Sequence, residues 1–503
     1  MSRPRWLEPL PDAALMRAID RWAIETKGSP SLELMERAGE GLARLIAEQV
    51  PAGRIAVVCG KGNNGGDGLV AARLLRQAGR DVDVSCLWEP DQLSGDARAQ
   101  LEQLPGPAPA PYDADRLAGA HGLVDALLGT GSTGAPKDPV AGAIEDLNVA
   151  RGKVIAADVP SGVDASTGEV AGAAVRAAAT ATFHAAKPGL WIAPGKAHAG
   201  EVRIVDIGIP KGAPGDPDAG LISPGVLDDM PRRGPASTKF SSGNVVVIGG
   251  SRGLTGAPCM SALAAMRAGA GYVTVGAPAS LELSFTVRLL EAMLVALPED
   301  DGALSPEALR PAIAAVGRAD AVVLGPGLGR TPGAQALARE LVQRIDVPLV
   351  IDADGLNALA GQLETLRHRR WPTVLTPHAG ELGRLLELES SEIERARLAH
   401  ARAAAARSNA IVVLKGDDTL VTAPSGRVAI SRGGAPGLAT AGTGDVLSGV
   451  TGAMLAKGLS HAHAACAAVY AHVHAGRIAA APHGPDAVIA SDVIAALPAA
   501  LST

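Results

Sequence analysis

Short apolar runs and helical patterns take turns along almost the whole chain, and this order constrains the fold more than any other feature. In the first half, residues 54–59, 81–87, 121–127, 153–157, 179–184 and 202–207 read as strands. Stretches with helical spacing separate them, such as 69–77, which stops at Gly79. Strands alternating with helices close as a parallel sheet covered by helices on both faces, so the expected class is α/β. Ligands of such sheets bind at the carboxyl ends of the strands. Residues 12–49 read as two preceding helices, with Ser29 and Pro30 as a start signal for the second.

A second series follows, with strands near 244–248, 272–275, 321–324, 349–352, 373–375 and 411–414, then alanine-rich helices. Between the two series, residues 210–222 are rich in Pro, Gly and Asp and read as a linker. The expected division is a first domain over 1–212, a linker over 213–222 and a second domain over 223–503. A length of 503 residues, 47% of them hydrophobic, fills two such cores.

A net charge of −6 and an aromatic content of 2% count against nucleic-acid binding, which needs a basic footprint or stacking platforms. Cys59, Cys86, Cys259 and Cys466 form no CxxC pair, and buried thiols in a reducing compartment are expected. Residues 1–10 lack an apolar leader segment, and no run of about 18 uncharged apolar residues follows. The expectation is a cytoplasmic protein with small-molecule ligands, no membrane partner and a homo-oligomeric state.

Asn63-Asn64-Gly65-Gly66-Asp67-Gly68 stands between a strand and a helix. Backbone N–H groups at a helix start favour anions, phosphate above all. The motif is neither GxGxxG nor the P-loop. Its side-chain oxygens suit a monovalent cation or a ribose; the plain alternative is a polar turn whose glycines permit positive φ. The strand 121–127 carries Asp125 and runs into the loop Gly129-Thr130-Gly131-Ser132-Thr133-Gly134-Ala135, and Asp158-Val159-Pro160-Ser161-Gly162 follows another strand. The loop at Ala185-Ala186-Lys187-Pro188-Gly189 completes the set. Asp158 is either an acid/base or a cap on the loop that begins at Val159.

In the second series, Ala439-Thr440-Ala441-Gly442-Thr443-Gly444-Asp445 leads into an apolar helix. Phosphoryl transfer to a hydroxyl needs amides for the charge on the transferring group and a base for the hydroxyl proton. Asp445 is the candidate base. The alternative is an aspartate favoured at the first turn by the helix dipole. His461, His463, His472 and His474 do not form a zinc site, since residues two apart on a helix diverge and residues eleven apart lie about 16 Å away. They are expected to pack the helix or face solvent.

The first series resembles the NAD(P)H-hydrate epimerase family through Leu34-Met35-Glu36-Arg37-Ala38-Gly39, the 63–68 motif and Asp158 to Gly162. The resemblance implies a Rossmann-like domain that binds hydrated NADH or NADPH through Asn63, Asn64, Gly65, Gly66, Asp67 and the loop from Gly129 to Ala135. It implies Asp158 as acid/base and Asn64, Asp125 and Ser161 as potassium ligands. An all-oxygen set suits a hard monovalent ion.

The second series resembles the ribokinase-like ADP-dependent NAD(P)H-hydrate dehydratases. Five segments carry this: 249–257, 325–329, 352–357, 376–381 and 415–419. The resemblance implies that Ala257, Gly327, His378 and Asp445 contact the hydrated nicotinamide. Lys415, Gly416, Asp417, Asp418, Thr419 and Gly444 would contact ADP, and Glu381 would lie near magnesium and phosphate. Ala379 departs from a usual proline. The implied activity is a fused repair enzyme that epimerises the hydrate and dehydrates its S form at the expense of ADP. The competing readings are a ribokinase-like small-molecule kinase fused to a dinucleotide-binding sensor domain, and a non-catalytic dinucleotide-binding module.

Overall fold

The computed structural model describes residues 3–502 and divides into two compact units, one of residues 9–220 and one of residues 3–8 with 221–502.

In the first unit the strands run in the order Ala110–Pro111, Val82–Cys86, Ile55–Cys59, Gly122–Ala126, Lys153–Ala157, Ala179–Phe183 and Glu201–Val205. Every neighbouring pair is parallel. Counted along the chain the order begins 3-2-1-4-5-6, the Rossmann order. It reverses between Ile55–Cys59 and Gly122–Ala126. Both strands are buried throughout; Ile55–Cys59 reads as an unbroken apolar run, and Gly122–Ala126 is interrupted only by Asp125. The helices Ser31–Gln49 and Asn63–Gln77 cover one face, which gathers Leu42, Ile46, Val57, Leu69 and Val124 in one core. Across the sheet, Ile144 and Leu147 of Val140–Val149 pack on Val58 and Leu123.

The second unit is built on parallel strands in the order Met293–Leu297, Tyr272–Pro278, Asn244–Ile248, Ala321–Leu324, Leu349–Ile351, Thr373–Leu375 and Ile411–Leu414. An antiparallel pair, Leu420–Thr422 and Val428–Ile430, continues the sheet. Ala219–Ile222 and Leu7–Leu10 complete its edge. The apolar helix Thr443–Ala456 packs on this sheet, with Gly452 under Val323.

The structure departs from the expected linker at this edge. Ala219–Ile222 is a fully buried strand, because its apolar residues pair in the sheet as the Pro- and Gly-rich stretch ends. Residues 3–8 also belong with the second unit. Trp6 is buried beside Val226, Leu227 and Met230, stacks on His463 at 5.2 Å, and its carbonyl accepts the Ser223 N–H. The expected pair of early helices is Ala13–Arg21, extended by one wide turn over Trp22–Thr26, and Ser31–Gln49. Pro30 itself takes the cap position, one residue later than the sequence suggested. No described helix is long and apolar enough to cross a membrane.

Trp6→Ala is expected to destabilise the second unit by about 3–5 kcal/mol, the usual cost of emptying a buried aromatic site. Calorimetry of the whole chain checks this: the transition of the second unit should move down while that of the first stays in place.

Candidate functional sites

The first cavity, about 650 Å³, opens at the carboxyl ends of the first sheet, beside the reversal of strand order. The 63–68 stretch is not a turn; it is the opening of the helix Asn63–Gln77, and Gly60 to Gly62 make the turn. None of Gly65, Gly66 and Gly68 has positive φ. They are glycines because of close approach: a Cβ on Gly65 would strike the Gly60 carbonyl, one on Gly66 the Met35 thioether, and one on Gly68 the Ala126 methyl. The helix start has no side-chain cap, which leaves its first N–H groups for a ligand.

Asn63, Asn64, Asp67, Gly129, Thr130, Gly131, Ser132 and Asp158 share the wall of this cavity. Gly65 and Gly66 lie buried behind it, and Thr133, Gly134 and Ala135 are not on it. Asp158 has φ +62, a conformation that costs about 1–3 kcal/mol outside glycine. It does not cap the loop at Val159. Its Oδ2 accepts the Thr130 N–H at 2.9 Å and the Thr130 hydroxyl at 2.5 Å, and its Oδ1 accepts from Lys187 Nζ at 2.6 Å. Burial alone would raise the Asp158 pKa. The ion pair with Lys187 and the Thr130 hydrogen bonds outweigh it and hold the carboxyl below its ordinary value.

Lys187 is only 1% exposed, and its ammonium also donates to Thr182 Oγ1 and the Phe183 carbonyl, both at 2.9 Å. Two further carboxyls of this wall are pushed up. Asp67 is raised by burial and then by Asp158 and Asp20; Asp20 is raised to about 6 by burial, against Lys187.

Below the cavity, Asp125 is fully buried at the end of its strand. Its carboxylate accepts the Ser161 hydroxyl at 2.6 Å, the Ser161 N–H at 2.8 Å and the Leu127 N–H at 3.2 Å. The Leu128 carbonyl accepts from Asn64 Nδ2 at 2.9 Å. Asn64 Oδ1 is buried with no hydrogen-bond partner among the described residues. A Cβ on Gly129 would sit 3.2 Å from both Asn64 Oδ1 and Asp158 Oδ2, so glycine leaves room between them. Asn64, Asp125 and Ser161 thus meet around one short loop, with an acceptor to spare.

The second cavity, about 460 Å³, lies at the carboxyl end of the second sheet. His378, Lys415, Gly416, Asp417, Thr419 and Gly444 are on its wall, with an apolar side formed by Pro436, Leu438, Leu447, Val469 and Val473. Lys415 Nζ lies 3.1 Å from Asp352 Oδ1 and 3.6 Å from Glu381 Oε2. Burial opposes the charge on Lys415, yet Asp352 and Glu381 raise its pKa. Asp445 stands in the first turn of Thr443–Ala456, entered through Gly442 at φ +90. Burial, then Asp352, pushes the Asp445 carboxyl up to about 7 against the pull of Lys415. His378 caps the helix Ala379–Leu386: its Nδ1 accepts the Gly380 and Glu381 N–H groups, while Glu381 accepts the His378 N–H.

Ala257, Gly327, Asp418 and Asp445 are not on the wall of this cavity. Ala257 and Gly327 meet each other at neighbouring strand ends, where a Cβ on Gly327 would lie 3.3 Å from the Ala257 methyl. Of the four C-terminal histidines, His472 is buried against the second cavity, His463 reaches the Val226 carbonyl at 2.8 Å and His474 stacks on Tyr470.

Two families match the chain. One, described as NAD(P)H-hydrate dehydratase, covers residues 245–499, and the other, described as YjeF-related protein N-terminus, covers 31–189. A protein of Salinibacter ruber named bifunctional NAD(P)H-hydrate repair enzyme is 40% identical over 97% of this chain and 95% of its own. One of the same name from Moorella thermoacetica is 39% identical with the same coverage. The chain belongs to the bifunctional NAD(P)H-hydrate repair enzymes. Among solved structures, a ribokinase-like superfamily protein of Enterococcus faecalis matches with TM-score 0.50 and 29% identity, over 57% of this chain and 97% of that one. The second unit of this repair enzyme family member is accordingly ribokinase-like.

Within the repair enzyme, two residues of the first cavity carry no motif that would mark them: Lys187, in the loop after the strand Ala179–Phe183, and Asp20, on the helix Ala13–Arg21. Lys187 had one signal, a lysine at a strand end followed by Pro-Gly. In the second unit, Asp418 turns from the cavity and forms a two-point ion pair with Arg397, both bonds at 3.0 Å and both side chains 2% exposed. Arg397 also donates to the Lys415 carbonyl at 3.1 Å. Asp418 therefore shapes the Lys415–Thr419 loop from behind.

Asp418→Ala takes from the Arg397 guanidinium its buried partner and leaves it with the exposed Glu394, 2.8 Å from Nη1, which should cost up to about 3–5 kcal/mol. Denaturant titration should show the second unit unfolding early, and any folded fraction should bind nucleotide more weakly because the loop has lost its anchor.

Proposed function

We propose that the first unit interconverts the R and S forms of hydrated NADH and NADPH, and that the second dehydrates the S form with ADP. The observation that carries this reading is one aspartate at the strand ends of each unit, Asp158 on the wall of the first cavity and Asp445 in the helix turn next to Gly444 of the second, with charges set in opposite senses. Asp158 is held as a carboxylate, while Asp445 titrates near neutrality.

In the first site, the helix start at Asn63 and the loop from Gly129 onward take the dinucleotide phosphates. Asp158 faces the hydrated ring. Potassium belongs under the ring loop, held by Asn64, Asp125 and Ser161. The unpartnered Asn64 Oδ1 and the all-oxygen donors fit that ion; when bound, it supplies fixed positive charge and order to the loop.

In the second site, the apolar slot of Pro436, Leu438, Leu447, Val469 and Val473 suits an adenine base, and Lys415 with the Gly416 and Gly444 amides suits its phosphates. Ala257, Gly327 and His378 line the approach of the nicotinamide. Asp445 accepts the proton of the ring hydroxyl as the oxygen attacks the terminal phosphorus of ADP. The phosphate ester forms and AMP leaves; the C–O bond to phosphate then breaks as the ring nitrogen lone pair forms C=N, and the neighbouring ring carbon loses a proton to the departing phosphate, which restores the C=C bond. Among the described residues no three carboxylate, His or Cys side chains converge on a metal. Magnesium would therefore arrive with the nucleotide, held by phosphate oxygens and water, with Glu381 nearby. We place the enzyme in the cytoplasm and infer self-association. The exposed apolar residues Leu283, Val287, Leu290 and Met293, at an uncovered sheet edge, support the latter.

Asp445→Asn should lower dehydration by about 10²–10⁴-fold, the worth of a general base, and leave epimer exchange unchanged. Asp158→Asn should slow epimer exchange and leave dehydration of the S form unchanged. Because Asp445 must be ionised to accept a proton, dehydration should rise with pH through about 7 and lose that limb in the variant. The assay is recovery of reduced-cofactor absorbance from mixed epimers with ADP. A phosphorylated product that persists without absorbance would favour the small-molecule kinase. A single substitution that abolishes both activities in folded protein would overturn the two-site reading.

Replacing potassium by choline should slow epimer exchange and leave dehydration of the pure S form nearly unchanged. Equal exchange rates in the two buffers would remove the potassium assignment.

A further inference from the structure

The Asp158 carboxylate is fully engaged. Three short donors, one from Lys187 and two from Thr130, occupy its two oxygens. The Lys187 ammonium has in turn spent its three N–H bonds on Asp158, Thr182 and Phe183. A carboxylate bound in this way is a poor proton carrier, and a lysine with every N–H in use has none to lend without breaking its own shell. The ion pair is therefore suited to a fixed negative charge facing the ring.

Exchange of epimers needs more than charge. Water adds to an enamine at the carbon next to nitrogen, so the hydroxyl of the hydrate sits on such a carbon. To invert that centre the hydroxyl must leave as water, and a proton must reach its oxygen first. The wall of the first cavity offers seven charged groups: Arg17, Asp20, Lys61, Asp67, Asp96, Asp158 and Lys187. Asp67 is 7% exposed and lies in the packed start of its helix. Asp20 is half-buried, at the inner end of the helix Ala13–Arg21, on the same wall as Asp158.

We infer that Asp20 is the proton donor of the epimerase site, acting with the Asp158–Lys187 pair across one cavity. The inference rests on the epimerase reading above. The Asp20 carboxyl gives its proton to the ring hydroxyl, the C–O bond breaks and water leaves, and the ring nitrogen lone pair forms a C=N bond. The Asp158 carboxylate stabilises the resulting cation. Water then adds to the opposite face and returns a proton to the Asp20 carboxylate, so one water leaves, one enters, and nothing is oxidised or reduced. Because the acid must be protonated, exchange falls as pH rises. The Asp20 carboxyl is raised to about 6 by burial and by Asp158, against Lys187, and its low-pH form is the active one.

The test is kcat/KM for epimer exchange between pH 5 and 8 in the whole chain, for the parent protein and for Asp20→Asn, Asp20→Glu and Asp67→Asn. The parent should lose activity above about pH 6. Asp20→Asn should fall by about 10²-fold or more at low pH and lose the pH limb, with KM and the melting temperature near those of the parent. Asp20→Glu, which keeps a proton to donate, should regain a large part of the rate and the limb. An unchanged rate and profile in Asp20→Asn would overturn the inference while leaving the epimerase reading intact. So would loss of the limb in Asp67→Asn alone. If Asp20→Asn melts early, failure of Asp20→Glu to restore the limb in folded protein overturns it. No exchange by the parent protein at any pH would overturn both readings.

Discussion

Both halves of this enzyme depend on one steric constraint: the backbone of two adjacent strand ends must meet with nothing between them. In the first unit Gly60 ends the strand Ile55–Cys59, and a side chain there would strike the Leu127 carbonyl of the neighbouring loop. In the second, Gly249 ends the strand Asn244–Ile248, and a side chain there would strike the Pro326 carbonyl. In each case the two strands are parallel neighbours. Bringing these loops together without side chains exposes backbone groups at the mouth of the sheet, and those groups are what a phosphate-bearing ligand needs. Every later feature of the sites, from the Asn63 helix start to the Gly327 contact with Ala257, is built on that close approach.

The electrostatics of the two sites diverge from this common base. In the first, the ammonium of Lys187 is sealed under the strand ends, and its ion pair keeps Asp158 charged despite burial. In the second, one lysine is shared between Asp352 and Glu381, so Asp445 receives less compensation and its carboxyl rises. Burial is common to both aspartates; direct hydrogen bonds from Lys187 and Thr130 to Asp158, where Lys415 bonds Asp352 and not Asp445, decide the sign. A fixed anion suits a site where positive charge develops on a ring. A carboxyl that ionises near neutrality suits a site that must take up a proton.

Much of this was legible in the sequence, for a physical reason. Strands buried on both faces are unbroken apolar runs, so Lys153–Ala157, Asn244–Ile248, Ala321–Leu324, Thr373–Leu375 and Ile411–Leu414 emerge at the bounds expected. Edge strands escape that signal. Leu7–Leu10 carries Glu8 and Pro9 and has no apolar run to read. Met293–Leu297 is apolar throughout yet mostly half-exposed, and the expected strands omit it. Leu420–Thr422 and Val428–Ile430 are buried but only three residues long, too short for periodicity to register.

The site was legible where chemistry is local and hidden where it is assembled. Asn63 to Gly68 and Thr443 to Asp445 announce themselves because a strand, glycines and a helix follow one another within a few residues. Asp20 and Lys187 meet Asp158 only through the fold, from positions 138 and 29 residues away. Asp418 shows the opposite: it sits inside the run 415–419 that the resemblance assigns to nucleotide, yet its carboxylate pairs with Arg397. A motif fixes where the backbone goes, and the side chains within it are then free to serve the ligand or the scaffold. Which of these they do is decided by what the fold places behind the loop, and behind this one it places a buried arginine.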